Sequence, residues 1–193
     1  MSGSAGTTAP PVDGRRRKGE ERRRLLREAT MRVVGRGGVA AVTQRAVAAE
    51  AGMTPSLVSY HFPTVDALLS ATLAAVNDDH VAALERCARE DDPVRALAEF
   101  VAACAADRTD ALAAEYELFL QAGRRPALRD EWVRWTAALD ALLAPLVADR
   151  DARAAAAVGV DGLCLRCWCD PAPWSADACE DVLRALLPGR TRP

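Results

Sequence analysis

The chain has 193 residues and a net charge of −2, enough length for one or two domains with a sizeable core. Half of the residues are apolar, 27% are charged and 5% are aromatic, which excludes collagen-like, purely coiled-coil and fully disordered chains. The longest run without a charge, residues 51–65, contains one glycine and two prolines, whereas a membrane-spanning helix needs about 20 apolar residues. We therefore expect a cytoplasmic protein with no membrane segment, no secretory leader and reduced cysteines.

The charges are distributed unevenly along the chain. Residues 1–65 contain eleven Lys/Arg and five Asp/Glu, a net charge of +6, while residues 66–193 contain fourteen and twenty-two, a net charge of −8. Clustered cations bind polyanions because they release the counterions condensed on phosphates. Basic runs such as residues 15–18 and 22–24 also occur in solvated tails, so charge alone leaves both interpretations open.

Helix signals divide the whole chain, and no segment shows the alternation of a strand. Residues 1–18 combine a low-complexity segment with a basic run and are predicted to be a disordered arm, with structure beginning near Glu20. The predicted helices cover about residues 20–34, 44–50, 55–62, 67–89, 93–107, 110–122, 128–146 (with Pro145 kinking or ending it), 151–168 and 175–187. We expect an all-α fold of about nine helices, with a head at residues 19–65 and a body at residues 66–193.

Residues 43–62 predict two short helices that cross at a steep angle. Thr43 is a good N-cap for the first helix, and Thr54 followed by Pro55 starts the second. Gly52 permits a tight turn between them at low steric cost. This arrangement predicts a helix-turn-helix whose second helix presents a small, uncharged outer face that fits a major groove. An ordinary helical hairpin in a protein core is the alternative.

Residues 19–73, which include the string TQRAVAAEAGMTPSLVSYHFPTVDALL, resemble the DNA-binding domain of the TetR family of bacterial transcriptional regulators. The resemblance implies a three-helix DNA-binding head followed by a helical body that binds ligand and dimerises. It further implies a homodimeric repressor that binds a pseudo-palindromic double-stranded DNA operator and is released by a small molecule. The positions that the family uses to contact phosphates or bases are Thr43, Gln44, Arg45, Thr54, Pro55, Ser56, Ser59, Tyr60 and His61.

This chain departs from the family pattern at three places. Members commonly have Tyr at the position of Ser59, Tyr-Phe where His61 and Phe62 stand, and Lys where Val65 stands. Losing that lysine removes an expected phosphate contact. His61 itself has two interpretations, as an imidazole packed on an apolar helix face or as a phosphate contact.

Little in the chain supports catalysis. There are two histidines, and the sequence contains no nucleophile-elbow, Walker or dinucleotide-binding fingerprint. His80 has no Cys or His partner at a metal-ligand spacing, so we expect it on a helix surface. We predict a protein that is not an enzyme, with no cofactor and no metal.

Four cysteines near the end of the chain suggest an alternative input. Cys164, Cys167 and Cys169 form a C-x2-C-x-C cluster, and Cys179 follows across a predicted helical hairpin. They could make the protein a thiol- or metal-responsive sensor. The other interpretation is that these cysteines are small apolar residues in a packed interface.

The body supplies candidate residues for both functions that the family implies. Aromatic and apolar side chains on three middle helices are candidates for an effector pocket, although each could simply be core: Cys104, Tyr116, Phe119, Trp132 and Trp135. Small and apolar stripes on the last two helices are candidates for an isologous dimer interface: Ala156, Val160, Leu163, Cys167, Ala178, Val182, Ala185 and Leu186.

Overall fold

The computed structural model describes residues 12–106 and 110–187. Within those ranges it contains nine α-helices and one short 3-10 turn, Val39–Ala41, and no strand, so the all-α expectation is confirmed. The helices are α1 (Val12–Gly37), α2 (Gln44–Ala51), α3 (Pro55–His61), α4 (Val65–Cys87), α5 (Pro93–Ala106), α6 (Asp110–Gln121), α7 (Pro126–Leu143), α8 (Arg150–Cys169) and α9 (Ala176–Leu186).

The first helix starts earlier than the sequence predicted. α1 begins at Val12 instead of near Glu20, so residues 12–18 of the predicted arm are helical. Arg, Lys and Glu are good helix formers, and Arg24 pairs with Glu21 and Glu28 one turn away on either side. These local interactions favour a longer helix even though residues 14–18 are exposed and gain nothing from packing. Residues 1–11 of the arm, and the predicted helix ends at 107 and 109, lie outside the described residues.

The turn chemistry of residues 43–62 is as predicted. The Thr43 hydroxyl accepts a hydrogen bond from Ala46 N at 3.0 Å, and Thr54 caps α3 in the same way. Gly52 has φ 64°, the left-handed conformation that ends α2 and turns the chain toward α3. The helix-turn-helix therefore depends on capping and turn residues that can be recognised in the sequence.

Two apolar cores divide the molecule. The head core joins α1, α2 and α3 to the start of α4, and Leu118 from α6 and Leu128 from α7 complete it. The body core is built from α4, α5, α7, α8 and α9, with Leu97, Leu139 and Leu183 fully buried at its centre. α4 and α7 contribute buried residues to both cores, and α6 adds Leu118 to the head core while its Phe119 packs against both.

A buried polar contact fixes α4 against α7 between the two cores. The Asn77 amide donates to the carbonyl and to the carboxylate of Glu131, both at 2.9 Å. Arg134 binds the same carboxylate at 2.8 Å and Asp78 at 2.6 Å.

Among the helices described, none is both long and apolar enough to cross a membrane.

Candidate DNA-binding surface and ligand cavity

The outer face of α3 is open to solvent and carries small polar groups. Thr54, Pro55 and Ser56 are exposed at its N-terminal end, and the Tyr60 side chain is 80% exposed. Val58, on the opposite face, is fully buried in the head core. This geometry exposes the Tyr60 side chain and the N-terminal end of α3, which can approach base edges or phosphates when α3 enters a major groove. Thr43 and Arg45 are likewise exposed at the start of α2.

Gln44, a predicted DNA contact, uses its side-chain amide within the head. Its amide nitrogen donates to the carbonyls of Phe62 and Pro63 at 3.1 and 3.2 Å, and its amide oxygen accepts from the Ser59 hydroxyl at 2.6 Å. Both ends of the amide are therefore used inside the head. Gln44 holds the C-terminal end of α3 against α2, and Ser59 is half-buried in the same contact.

One arginine of the basic run at residues 22–24 binds the C-terminal end of α3 within the protein. Arg23 donates to the carbonyl of His61 at 3.1 Å, and its guanidinium lies 4.6 Å from the centre of the Phe62 ring. Burial, together with the nearby Arg23 and Arg22 charges, lowers the pKa of His61. The His61 Nε2 atom is buried, and no described residue binds it. These facts favour a neutral, packed imidazole over a charged phosphate contact.

A cavity of about 330 Å³ opens among α4, α5, α6, α7 and α8. All five candidate pocket residues line it: Cys104, Tyr116, Phe119, Trp132 and Trp135. Phe100 and Trp168 also line it, so six of the nine Trp, Tyr and Phe residues of the whole chain surround this space. An open cavity with aromatic walls and a few polar groups has the character of a small-molecule site.

Sequence reasoning missed the ionisable residues of the cavity. Glu115 and Asp161 line it, and so does His80, which we had expected on a helix surface. That expectation is wrong, because Phe100 and Trp135 pack edge-on against the imidazole at 5.9 and 6.0 Å. The tertiary packing of α5 and α7 against α4 covers the imidazole, and no local sequence pattern reveals such packing.

Burial and close contacts tune these groups. Burial lowers the pKa of His80, whose Nε2 lies 3.5 Å from Glu115 Oε2. Burial raises the pKa of Asp161, and the Trp135 indole N–H, which donates to it at 2.9 Å, offsets only part of this effect. The cavity wall therefore contains an imidazole that stays neutral near pH 7 and a poorly solvated carboxyl group.

The four cysteines near the C-terminal end lie in three different surroundings. Cys167 and Cys179 are both buried with sulfur atoms 3.7 Å apart, Cys164 lines the cavity and Cys169 is exposed. Burial raises the pKa of Cys167 to about 12 and also raises that of Cys179, so both remain unreactive thiols. No group of three or more potential metal ligands occurs among the described residues.

The α8 residues predicted for a dimer interface lie inside the protomer. Ala156, Val160, Leu163 and Cys167 are all buried against α5, α7 and α9, so they cannot meet a second chain and that prediction is wrong. On α9, Val182, Ala178 and Leu186 are half-buried and Ala185 is exposed. The face of α8 that solvent reaches carries a second small and apolar stripe instead: Ala155, Val158, Gly162, Leu165 and Cys169.

α6 touches both the cavity and the head. Tyr116 and Phe119 line the cavity, while the intervening Glu117 accepts a hydrogen bond from Val39 N at 2.5 Å at the end of α1. Gly38 makes this approach possible, since it has φ 72° and an added Cβ would lie 3.0 Å from the Glu117 carboxylate. The carboxylate thus fixes α6 to the head at one defined point.

Comparisons with known proteins agree with this architecture. The model of bacterial regulatory proteins of the tetR family matches residues 26–72, and the tetracyclin repressor-like C-terminal domain matches residues 88–189. The chain is 32% identical to the HTH-type transcriptional regulator BetI of Rhizobium meliloti (strain 1021) over 182 residues, which are 86% of this chain and 89% of that protein.

Two further relatives bear on ligands. The HTH-type nicotine-responsive transcriptional repressor HdnoR of Paenarthrobacter nicotinovorans is 28% identical over 86% of this chain and 94% of its own length. The crystal structure of the multidrug binding protein EbrR complexed with malachite green has a TM-score of 0.76 and 35% identity, and covers 88% of this chain and 99% of that chain. The chain belongs to the TetR family and is a helix-turn-helix transcriptional regulator, not an enzyme.

Proposed function

We propose that this protein is a homodimeric repressor in the bacterial cytoplasm that binds a pseudo-palindromic operator and leaves it when a small organic molecule fills the cavity. One observation carries the proposal: the helix that forms a wall of the cavity, α6, is bonded to the DNA-binding head through Glu117 and Val39. Occupancy of the cavity and the placement of the head therefore depend on the same helix.

The nature of the cavity supports a small-molecule effector. Its volume of about 330 Å³ falls within the range of about 300–1,000 Å³ that is typical of small-molecule sites. Exposed Leu120 and Trp132 at its wall offer a route of entry. The related EbrR binds malachite green, and HdnoR responds to nicotine, which supports an organic effector for this chain as well.

The exposed stripe of α8 supports the proposed dimer. Val158 and Leu165 are 71% and 46% exposed in the protomer, which is unusual for apolar residues on a helix whose opposite face is buried. Gly162 lies between them with open space where a Cβ would be, so a second helix can approach closely. We infer that two copies of this stripe, flanked by Val182 and Ala185 of α9, pack across a two-fold axis.

The dimer sets the spacing of the two recognition helices. A two-fold protein matches a two-fold operator when its helices enter successive major grooves, about 34–36 Å apart. A ligand shifts this arrangement only if it binds the DNA-free conformation more tightly. By linkage, the operator must then weaken ligand binding by the same factor.

The experiment uses this reciprocity. An operator is first selected from random duplexes with the purified full-length protein, and malachite green, the molecule bound by EbrR, serves as the probe. Its dissociation constant is measured from tryptophan quenching with and without saturating operator. We expect the dye to bind the protein–operator complex more weakly than the free protein. The ratio of its two dissociation constants should equal the factor by which the dye weakens operator binding. Equal dissociation constants would refute the proposed control by ligand.

A further inference from the structure

The cavity combines aromatic faces with negative charge. Tyr116 and Trp168 stack at a ring separation of 5.3 Å, and Phe119 meets Trp132 edge to face at 6.3 Å. The face of an aromatic ring is negative and attracts a cation placed over it. Flat ligands also gain from stacking on such rings. The walls therefore favour planar ligands, and their electrostatics favour positive over negative ones.

The charged side chains among the described lining residues are negative near pH 7. Asp161 and Glu115 are acidic, and none of the lining residues that the structure describes is a lysine or an arginine. His80 supplies no positive charge near pH 7, since burial lowers its pKa. An anionic ligand would approach two acidic side chains, and no described lining residue would offer it a positive charge, which is unfavourable in a partly buried site.

Asp161 is the carboxylate best suited to receive a cation. Glu115 already lies against His80, with the closest atoms 3.5 Å apart. The carboxylate of Asp161 accepts a neutral N–H from Trp135 at one oxygen, and no hydrogen bond or ion pair among the described residues brings a positive charge to it. Burial raises its pKa, which means that the ionised form lacks solvation that a cationic ligand would replace.

We propose that the cavity is selective for planar organic cations and that Asp161 is the residue that pairs with their charge. This inference uses the same cavity as the proposed function and adds the chemical class of its ligand. The aromatic rings hold the flat framework, and the Trp135 N–H fixes the carboxylate so that it faces the ligand without reorganisation. Neutral analogues keep only the stacking and burial.

A charge series on one framework tests this selectivity. Binding of 10-methylacridinium, acridine and acridine-9-carboxylate to the full-length protein is measured by calorimetry at pH 8, where the three carry a positive, no and a negative charge. We expect the cation to bind at least about tenfold more tightly than acridine and the anion to bind most weakly. Equal affinities, a preference for the anion, or no binding of the cation would overturn the proposal.

Matched variants test the assigned residue. Asp161→Asn keeps the shape and the acceptor for the Trp135 N–H but removes the charge, and Asp151→Asn removes a carboxylate from the exposed first turn of the same helix. We expect Asp161→Asn to weaken 10-methylacridinium about tenfold without changing acridine, and Asp151→Asn to change neither.

An equal loss for cation and neutral ligand in Asp161→Asn would show a structural role and overturn the assignment, as would an unchanged cation affinity. Because no DNA is present, this experiment is independent of the proposed function. A cation-selective cavity whose ligand leaves operator binding unaltered would refute control by ligand and still uphold the selectivity.

Discussion

Replacing Val158 by aspartate should dissociate the proposed dimer and leave the protomer folded. Val158 is 71% exposed in the protomer, and complete burial of a valine side chain stabilises by about 1.5–3 kcal/mol. Its share on dimerisation is therefore about 1–2 kcal/mol per copy, or about 2–4 kcal/mol for the two copies of an isologous interface. That loss weakens the dimer about 30- to 700-fold, and the cost of desolvating two carboxylates adds to it.

Sedimentation across a range of protein concentrations measures this effect, with circular dichroism as the test of folding. Val133→Asp is the matched control, because Val133 is 56% exposed on α7 and is not part of the stripe, and it should leave the dimer intact. Val160→Asp provides the contrast, since Val160 is 2% exposed within the protomer and a charge there should lower the melting temperature. A Val158→Asp protein with an unchanged dimer constant would place the interface elsewhere.

Four further outcomes are expected. Tyr60→Ala and Arg45→Ala should each weaken operator binding by about 1–3 kcal/mol without changing thermal stability, and unchanged affinity in a gel-shift titration would remove that residue from the DNA contact. Deleting residues 1–18 should flatten the slope of log affinity against log salt and leave the ranking of operators unchanged; a changed ranking would mean that the arm reads sequence. Glu117→Ala should bring the ratio of ligand affinities with and without operator toward one, and a ratio equal to that of the parent protein would exclude this contact from the coupling. Asp161→Asn should raise the melting temperature at pH 7: a pKa raised above the ordinary 3.8 stabilises the fold below that pH and loses this contribution as the pH rises through the folded value, so the gain should vanish in acid, and a gain that is independent of pH would contradict the linkage.

The head could be predicted because its geometry depends on neighbouring residues. Thr43 and Thr54 cap their own helices, and Gly52 sets its own turn, so the signals and their consequences lie within a few positions of each other. The role of Gln44 was hidden for the opposite reason. Its partners, Phe62 and Pro63, follow it by eighteen and nineteen residues, and no local rule connects them.

The faces of α8 could not be distinguished from sequence because the helix is apolar on more than one side. One stripe runs through Ala156, Val160 and Leu163, and another runs through Val158 and Leu165. Both have the spacing of a helix face, and periodicity alone does not tell which stripe packs inside. The packing of α5 and α9 decides it by burying the first stripe.

The charged part of the cavity was missed because acidic residues on helices are usually solvated. Asp161 follows Val160, a core residue, and its carboxyl group faces α7 only because Trp135 reaches across to it. Aromatic residues are easier to assign, since large apolar side chains on three consecutive helices must pack together whether or not a ligand enters. The sequence therefore predicted the aromatic walls of the cavity but not its acidic side chains.

The arrangement of α6 gives the proposed coupling between ligand and DNA binding a short physical path. Tyr116 and Phe119 face the cavity, and between them Leu118 is fully buried in the head core beside the Glu117 contact. Close-packed interfaces respond to displacement by moving as units instead of deforming gradually. A ligand that pushes the aromatic side of α6 outward must therefore carry Leu118 with it, strain the bond from Glu117 to Val39, or be excluded. In the first two cases the free energy of ligand binding reaches the DNA-binding head without any intermediate element.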